Sequence, residues 1–233
     1  MVIRNNFRKT FGDVKDFCYL YTHEHTQNAP FALSHCPSDY QTLRKQELSE
    51  RDGARVHVFG VFPDDYKRMA DHNIYVTSGM LWHHRDTETQ NELNRTLPEG
   101  MKEVGFPLKS FFDHGVNVSS HSDFPALFGS PDDPFSIMEI TVTGLYYAEK
   151  GQPWWTEELL TREQALTALT INVAKQMFIE NERGSISTGK YADFLLVNKD
   201  VLTCPANEIH TAKPAATYFE GKKVFERESP NQK

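Results

Sequence analysis

The stretch Phe106–Pro125 reads FPLKSFFDHGVNVSSHSDFP. Its first half sets Leu108, Phe111 and Phe112 at helical spacing and then meets His114-Gly115. Glycine is the residue that most readily takes the left-handed conformation at a helix end, so a short helix is expected to stop there. In the second half, Val116 to Ser120 alternates apolar and small polar residues as a strand does. That strand delivers His121-Ser122-Asp123 and then Phe124-Pro125 just past its C-terminal end. Asp before an aromatic-Pro pair can open a turn, since Asp bonds nearby backbone and Pro presets its dihedral angle. In a parallel α/β architecture, however, ligands collect beyond the carboxyl ends of the strands, which gives His121 and Asp123 a functional reading as well.

Working outward, the flanking segments repeat the alternation of strand and helix. Ala54 to Val58 is strand-like and is followed by Phe62-Pro63-Asp64-Asp65, where Asp64 or Asp65 is expected to cap a helix running to about Asp71. Ile74 to Ser78 reads as a further strand by its β-branched and aromatic content, with Gly79-Met80-Leu81-Trp82-His83-His84 at its end. Adjacent histidines rarely face the same way, so at most one of His83 and His84 is expected to point into a pocket. Upstream, Phe31 to Ser34 is a short apolar strand that ends in His35-Cys36-Pro37.

Downstream, helices are expected over Phe135–Glu149 and Thr161–Phe178. The second opens on Thr161 with Gln164 three residues on, the capping-box pattern, and sets Ala165, Leu166, Leu169, Val173 and Met177 on one face. Phe194 to Val197 is a continuous apolar strand, and Thr217–Phe219 with Lys223–Phe225 around Glu220-Gly221 makes a hairpin. Asp193 reads as a structural residue that pairs locally.

Composition sets bounds on function. The 233 residues are 39% hydrophobic and 24% charged, which is enough to bury a sizeable core. Lys+Arg 25 against Asp+Glu 32 gives a net charge of -7, and no basic run is interleaved with aromatics, so nucleic acid is not an expected partner. No apolar run is long enough to span a bilayer, and the first residues carry charges where a signal peptide needs an apolar core. Three widely spaced cysteines, Cys18, Cys36 and Cys204, make neither a disulfide framework nor a paired zinc motif. A cytoplasmic protein with no membrane partner and a small-molecule substrate is expected. The His23-Glu24-His25 pair, set between Thr22 and Thr26, reads as an exposed loop.

The segment Phe106–Pro125 resembles the last barrel strand of the amidohydrolase superfamily, in the branch labelled amidohydrolase 3. The run Glu182–Val224, ERGSISTGKYADFLLVNKDVLTCPANEIHTAKPAATYFEGKKV, is similar almost position by position to that family's return into a small β-sandwich. The steps at His35, at His57 and at Gly79–Trp82 resemble its fifth, sixth and seventh strands, and Gly151–Trp155 resembles an aromatic lead-in common in the family. The resemblance implies an α/β fold: the C-terminal portion of a (β/α)8 barrel over residues 1–180, strands five to eight, and part of the sandwich over residues 181–233. A whole barrel takes about 250 residues, so the chain is expected to be truncated and to self-associate through an exposed barrel edge. By the same resemblance, the function is metal-dependent hydrolysis of carbon-nitrogen bonds other than peptide bonds. The alternative is a truncated or decayed member without catalysis, a weak metal-binding or interaction domain. The ligand set the resemblance implies is His35, His57 and Asp123, with zinc as the metal and Asp123 also handling the proton of the attacking water. Trp82, His83 and His121 are expected to contact substrate.

Overall fold

Two helix-to-strand turns open on the same Asp-His pair, Asp71-His72-Asn73-Ile74 and Asp113-His114-Gly115-Val116, and both close the same way. The residue after the helix cap takes a left-handed conformation, Asn73 with φ 49° and Gly115 with φ 80°. The next amide then reaches back to the last turn, Ile74 N–H to Met69 O and Val116 N–H to Phe111 O, both at 2.9 Å. This Schellman closure satisfies orphan carbonyls and reverses the chain, so each helix feeds a strand lying beside its predecessor.

The computed structural model describes residues 54–56, 61–84, 91, 95, 105–122, 133–146, 150–153 and 155–228. Strands β1 (Ala54–Val56), β2 (Tyr75–Gly79) and β3 (Val118–His121) form one sheet in the order β1-β2-β3. Both pairings are parallel, with Val56 opposite Thr77, Val76 opposite Val118, and Gly79 opposite His121. Helix α1 (Pro63–Asp71) joins β1 to β2, and helix α2 (Leu108–Asp113) precedes β3. Tyr66 of α1 and Phe111 of α2 meet edge to face at 5.2 Å and are both buried, which locks the two helices together. The strand expected from Val116 begins its pairing at Asn117, whose carbonyl accepts from Val76 N–H, because the Val116 amide is already used to close α2.

The expected cap of α1 is corrected. Phe62 is the N-cap and makes no side-chain bond; Pro63 occupies the first turn, so Asp64 and Asp65 fall inside the helix. There they favour the positive end of the helix dipole, and Asp65 pairs with Arg68 one turn on.

Helix α3 (Pro134–Thr143) is capped by Asp133, which accepts from the Phe135 amide at 3.2 Å. It ends at Gly144, short of the expected Glu149, because Gly144 adopts φ 67°. A Cβ at Gly144 lies 2.5 Å from Pro153 Cβ and 2.9 Å from Leu159 Cδ2. Gly144→Ala therefore combines left-handed strain with overpacking and is expected to cost about 2–4 kcal/mol of stability, read by denaturant unfolding.

The capping box at Thr161 and Gln164 is present at the start of helix α4 (Arg162–Leu169), with both reciprocal bonds formed. The single helix expected to Phe178 is two: the chain breaks at Thr170, φ -130° and ψ -93°, before helix α5 (Ile171–Gln176). Leu166 and Met177 are exposed as a result, so the expected continuous apolar face does not form. The break aims polar groups of α5 at the sheet. Asn172 donates to Val118 O at 2.9 Å, while Gln176 bridges the hydroxyls of Thr77 and Ser119.

Strands β4 (Phe194–Val197), β5 (Pro214–Phe219) and β6 (Lys222–Glu226) form a separate antiparallel sheet in that order. Glu220 and Gly221, φ 51° and 74°, make the expected two-residue turn of the type that matches strand twist. Asp193 accepts from the Glu220 amide at 2.7 Å and pairs with Arg183, whose guanidinium lies over the Tyr191 and Phe219 rings at 4.4 and 4.9 Å. Two hydrogen bonds tie the 3-10 helix Ala206–Thr211, which connects β4 to β5, to α3: Glu139, 2% exposed, accepts from both the amide and Nδ1 of His210 at 2.8 and 2.7 Å.

Candidate functional site

Because β1, β2 and β3 are parallel, their C-terminal ends share one edge. His57 is the next residue after Val56 of β1, and Asp123 follows His121 of β3 by two; His57, Asp123 and His35 lie outside the described residues. Among the described residues no group of three or more His, Cys, Asp or Glu is placed to hold a metal. No described helix is long and apolar enough to cross a membrane.

What the described residues do bring to this edge is a set of uncharged polar groups. After Gly79 the chain turns through a single 3-10 turn, Met80–Trp82, with Met80 and Leu81 fully buried. Trp82 is half-buried and packs against the core. The turn delivers His83 into an aromatic corner: Trp155 stacks on it at 5.9 Å and Phe106 meets it edge-on at 6.3 Å. The corner depends on Gly105, φ 53°, since a Cβ there lies 2.4 Å from the Trp155 ring.

His83 is 1% exposed, and among the described residues neither of its ring nitrogens has a hydrogen-bond partner. Burial, with the adjacent His84 adding to it, pushes its pKa down to about 3, so the ring is neutral at physiological pH. His84 differs: its Nδ1 lies 2.5 Å from Leu81 O, and since a carbonyl only accepts, Nδ1 carries the proton. Its ring also tilts against Tyr146 at 5.0 Å. Both histidines are thus interior, in different settings. His121 is half-buried at the last register position of β3, opposite Gly79.

One position before that pair, Ser78 and Ser120 are register partners, and both hydroxyl oxygens are shielded from water without a hydrogen-bond partner among the described residues. They project from the face opposite Thr77 and Ser119, whose hydroxyls are tied to Gln176. Leaving a buried polar group unmatched costs about 1–3 kcal/mol, and native proteins pair the great majority of such groups. The serine pair is invisible in the sequence until the register sets the Thr-Ser-Gly of β2 beside the Ser-Ser-His of β3. Trp155, fifty positions from the Gly105 it touches, is likewise found only through the fold.

A parallel βα sheet with polar groups gathered at its C-terminal edge defines an α/β protein of the architecture in which ligands collect at that edge. The family model described as "Amidohydrolase family" matches residues 38–225. N-substituted formamide deformylase of Arthrobacter pascens is 30% identical over 188 residues, which are 81% of this chain and 33% of that protein. Among solved structures, a metal-dependent hydrolase from Pyrococcus horikoshii superposes with TM-score 0.57 at 15% identity, over 76% of this chain and 34% of the other. An adenosine deaminase from Xanthomonas campestris with bound zinc superposes with TM-score 0.53 at 17% identity, over 80% and 40%. The chain belongs to the amidohydrolase family. It spans about a third of the length of the deformylase it matches, 33%.

Proposed function

We propose that this chain supplies the second half of a (β/α)8 barrel and part of a β-sandwich, and that it hydrolyses carbon-nitrogen bonds other than peptide bonds, with N-substituted formamides as the first substrate class to test. In this reading β1, β2 and β3 are the sixth, seventh and eighth barrel strands, and residues 181–233 belong to the sandwich. The observation that carries it is the parallel register: the strands that lead into His57 and Asp123 end at one edge of one sheet. Two imidazoles and a carboxylate, from His35, His57 and Asp123, suit a divalent metal such as zinc with a position left for water. When bound, that metal supplies a water acidic enough to attack at neutral pH and polarises the carbonyl oxygen. Asp123 takes the proton of the water, whose oxygen bonds to the formyl carbon. The C–N bond then breaks, and Asp123 hands the proton to the departing nitrogen, leaving formate and an amine. Trp82, His83 and His121 contact the substrate. The setting is the cytoplasm.

A second reading, a metal-binding or interaction domain without catalysis, is favoured by the match to only 33% of the deformylase. Self-association belongs to either reading, because β1 is paired on one side only among the described residues.

The test is formate release from N-alkyl and N-aryl formamides by the purified full chain with zinc supplied, together with metal content by mass spectrometry. At most one tightly held equivalent is expected, and less in His57→Ala. Metal retained without formate release selects the second reading; metal content indifferent to His57→Ala removes the ligand set.

A further inference from the structure

The two edges of the antiparallel sheet are built differently. Among the described residues β4 and β6 each pair with β5 alone. The β6 edge is guarded: its exposed residues include Lys222, Lys223 and Glu226, and Val224 is an extra residue that shifts the register against β5. Charges and a bulge in an edge strand both discourage another strand from pairing there. β4 has neither. Phe194-Leu195-Leu196-Val197 is uncharged and apolar, the extra residue in its pairing is Ala215 of β5, and Leu195 and Leu196 are 43% and 50% exposed.

The direction of the backbone groups limits what can pair with this edge. Arg227 N–H donates to Ala215 O at 2.8 Å, which turns Ala215 toward β6 and therefore Ala216 toward β4. Leu196 is the register partner of Ala216, so Leu196 faces β5, as does Asn198, whose amide donates to Lys213 O at 3.1 Å. Leu195 and Val197 consequently turn their N–H and C=O groups outward. A second β4 laid antiparallel about a two-fold axis at Leu196 meets these groups with its own: Leu195 stands opposite the second copy's Val197, and Leu196 opposite its counterpart. At both ends the same register sets Asp193 opposite Lys199. Each of these already has a partner in its own copy, Arg183 and Glu208, so the contact joins ion-pair clusters of opposite inner charge. An axis at Leu195 sets the Asp193 carboxylate against Val197, and an axis at Val197 sets Leu195 against Lys199. Placing a charge against an apolar side chain is disfavoured, which selects Leu196.

We propose that β4 is a homodimerisation edge, at which two copies of this chain pair β4 with β4 antiparallel about a two-fold axis at Leu196 and join their sheets into one. The sequence Asp193-Phe194-Leu195-Leu196-Val197-Asn198-Lys199 is self-complementary about its centre, as a closed two-fold contact requires. This edge belongs to the antiparallel sheet and is separate from β1, and the inference holds whether or not the chain is a hydrolase.

The test is the mass of the purified full chain by sedimentation equilibrium over a range of concentrations. The unmodified chain is expected to form a reversible dimer. Leu196→Lys and Leu196→Glu each set like charges against each other on the axis and are each expected to weaken the dimer by about tenfold or more. An equimolar mixture of these two variants is expected to recover a dimer holding one copy of each, because Lys then meets Glu; only a contact that brings residue 196 to its own counterpart gives that recovery. Val224→Lys, at the 60% exposed position of the β6 edge, is expected to leave the dimer intact. A monomeric unmodified chain overturns the proposal. So does association unchanged by Leu196→Lys, which places the contact at another surface such as the β1 edge, and so does a mixture of the two variants that stays monomeric. Should the Leu196 variants not fold, Lys199→Glu decides: it sets Glu against the second copy's Asp193, and a dimer as strong as that of the unmodified chain overturns the proposal.

Discussion

Replacing Asp123 with Asn is expected to lower the rate of formamide hydrolysis by about 10²–10⁴-fold, the range that a positioned general acid-base supplies. The substitution preserves shape and one oxygen donor but removes the group that holds a proton between attack and departure. The loss is therefore expected in kcat, with N-phenylformamide binding little changed, since substrate contact is assigned to Trp82, His83 and His121. Asp123 follows β3 by two residues, and β3 pairs with β2 through four register positions ending at Gly79 and His121. Removing a charge beyond that ladder leaves the ladder intact, so Tm should move little. Metal content is expected to fall, because a neutral amide is a weaker ligand than a carboxylate. Full activity in Asp123→Asn would remove Asp123 from the mechanism, and a KM effect alone would make it a binding group.

Local signals were readable in the sequence wherever one turn of chain decided the outcome. Gly115 stops α2, the Thr161–Gln164 box starts α4, and Glu220-Gly221 makes the hairpin, each by a preference intrinsic to those residues. The expected seventh and eighth strand segments, Ile74–Ser78 and Val116–Ser120, come out as β2 and β3 shifted toward their C-terminal ends. Their first amides are consumed in closing the preceding helices, a detail the recurrent Asp-His-Asn/Gly-Ile/Val spelling already contained. Events decided by distant partners were not readable. The break at Thr170 is rewarded by Asn172 and Gln176 bonding to strands more than fifty positions away. Helix α3 ends where Pro153 and Leu159 leave room only for a glycine. At the site, the family resemblance pointed to His83 as an expected substrate contact. It could not show that Trp155 stacks on it or that Ser78 has Ser120 for a neighbour, because both facts follow from register and packing.

Acid is expected to destabilise the protein in a way that His83 makes measurable. In the unfolded chain this histidine titrates near its ordinary value of 6.5, while in the fold it is held at about 3. Its folded pKa is the lower one, so below pH 6.5 the unfolded state takes up a proton that the folded state refuses. Stability from this group is accordingly complete above pH 6.5 and is lost progressively as pH falls toward 3. Going from pH 7 to pH 5, the loss is about 2 kcal/mol, and at pH 4 about 3 kcal/mol. The groups packed against His83 are Phe106 and Trp155, which do not titrate, and beside it stands His84, whose coulombic influence also lowers the His83 pKa. Carboxylates elsewhere add their own acid dependence, so the contribution is isolated by comparison with His83→Phe, which has no proton to take up in either state. The variant is expected to lose less Tm than the parent between pH 7 and pH 5, by about 4–8 °C for a domain of this size. Parallel Tm–pH profiles for the two proteins would show that the imidazole titrates normally in the fold, and hence that it is reached by water and not enclosed between Trp155 and Phe106.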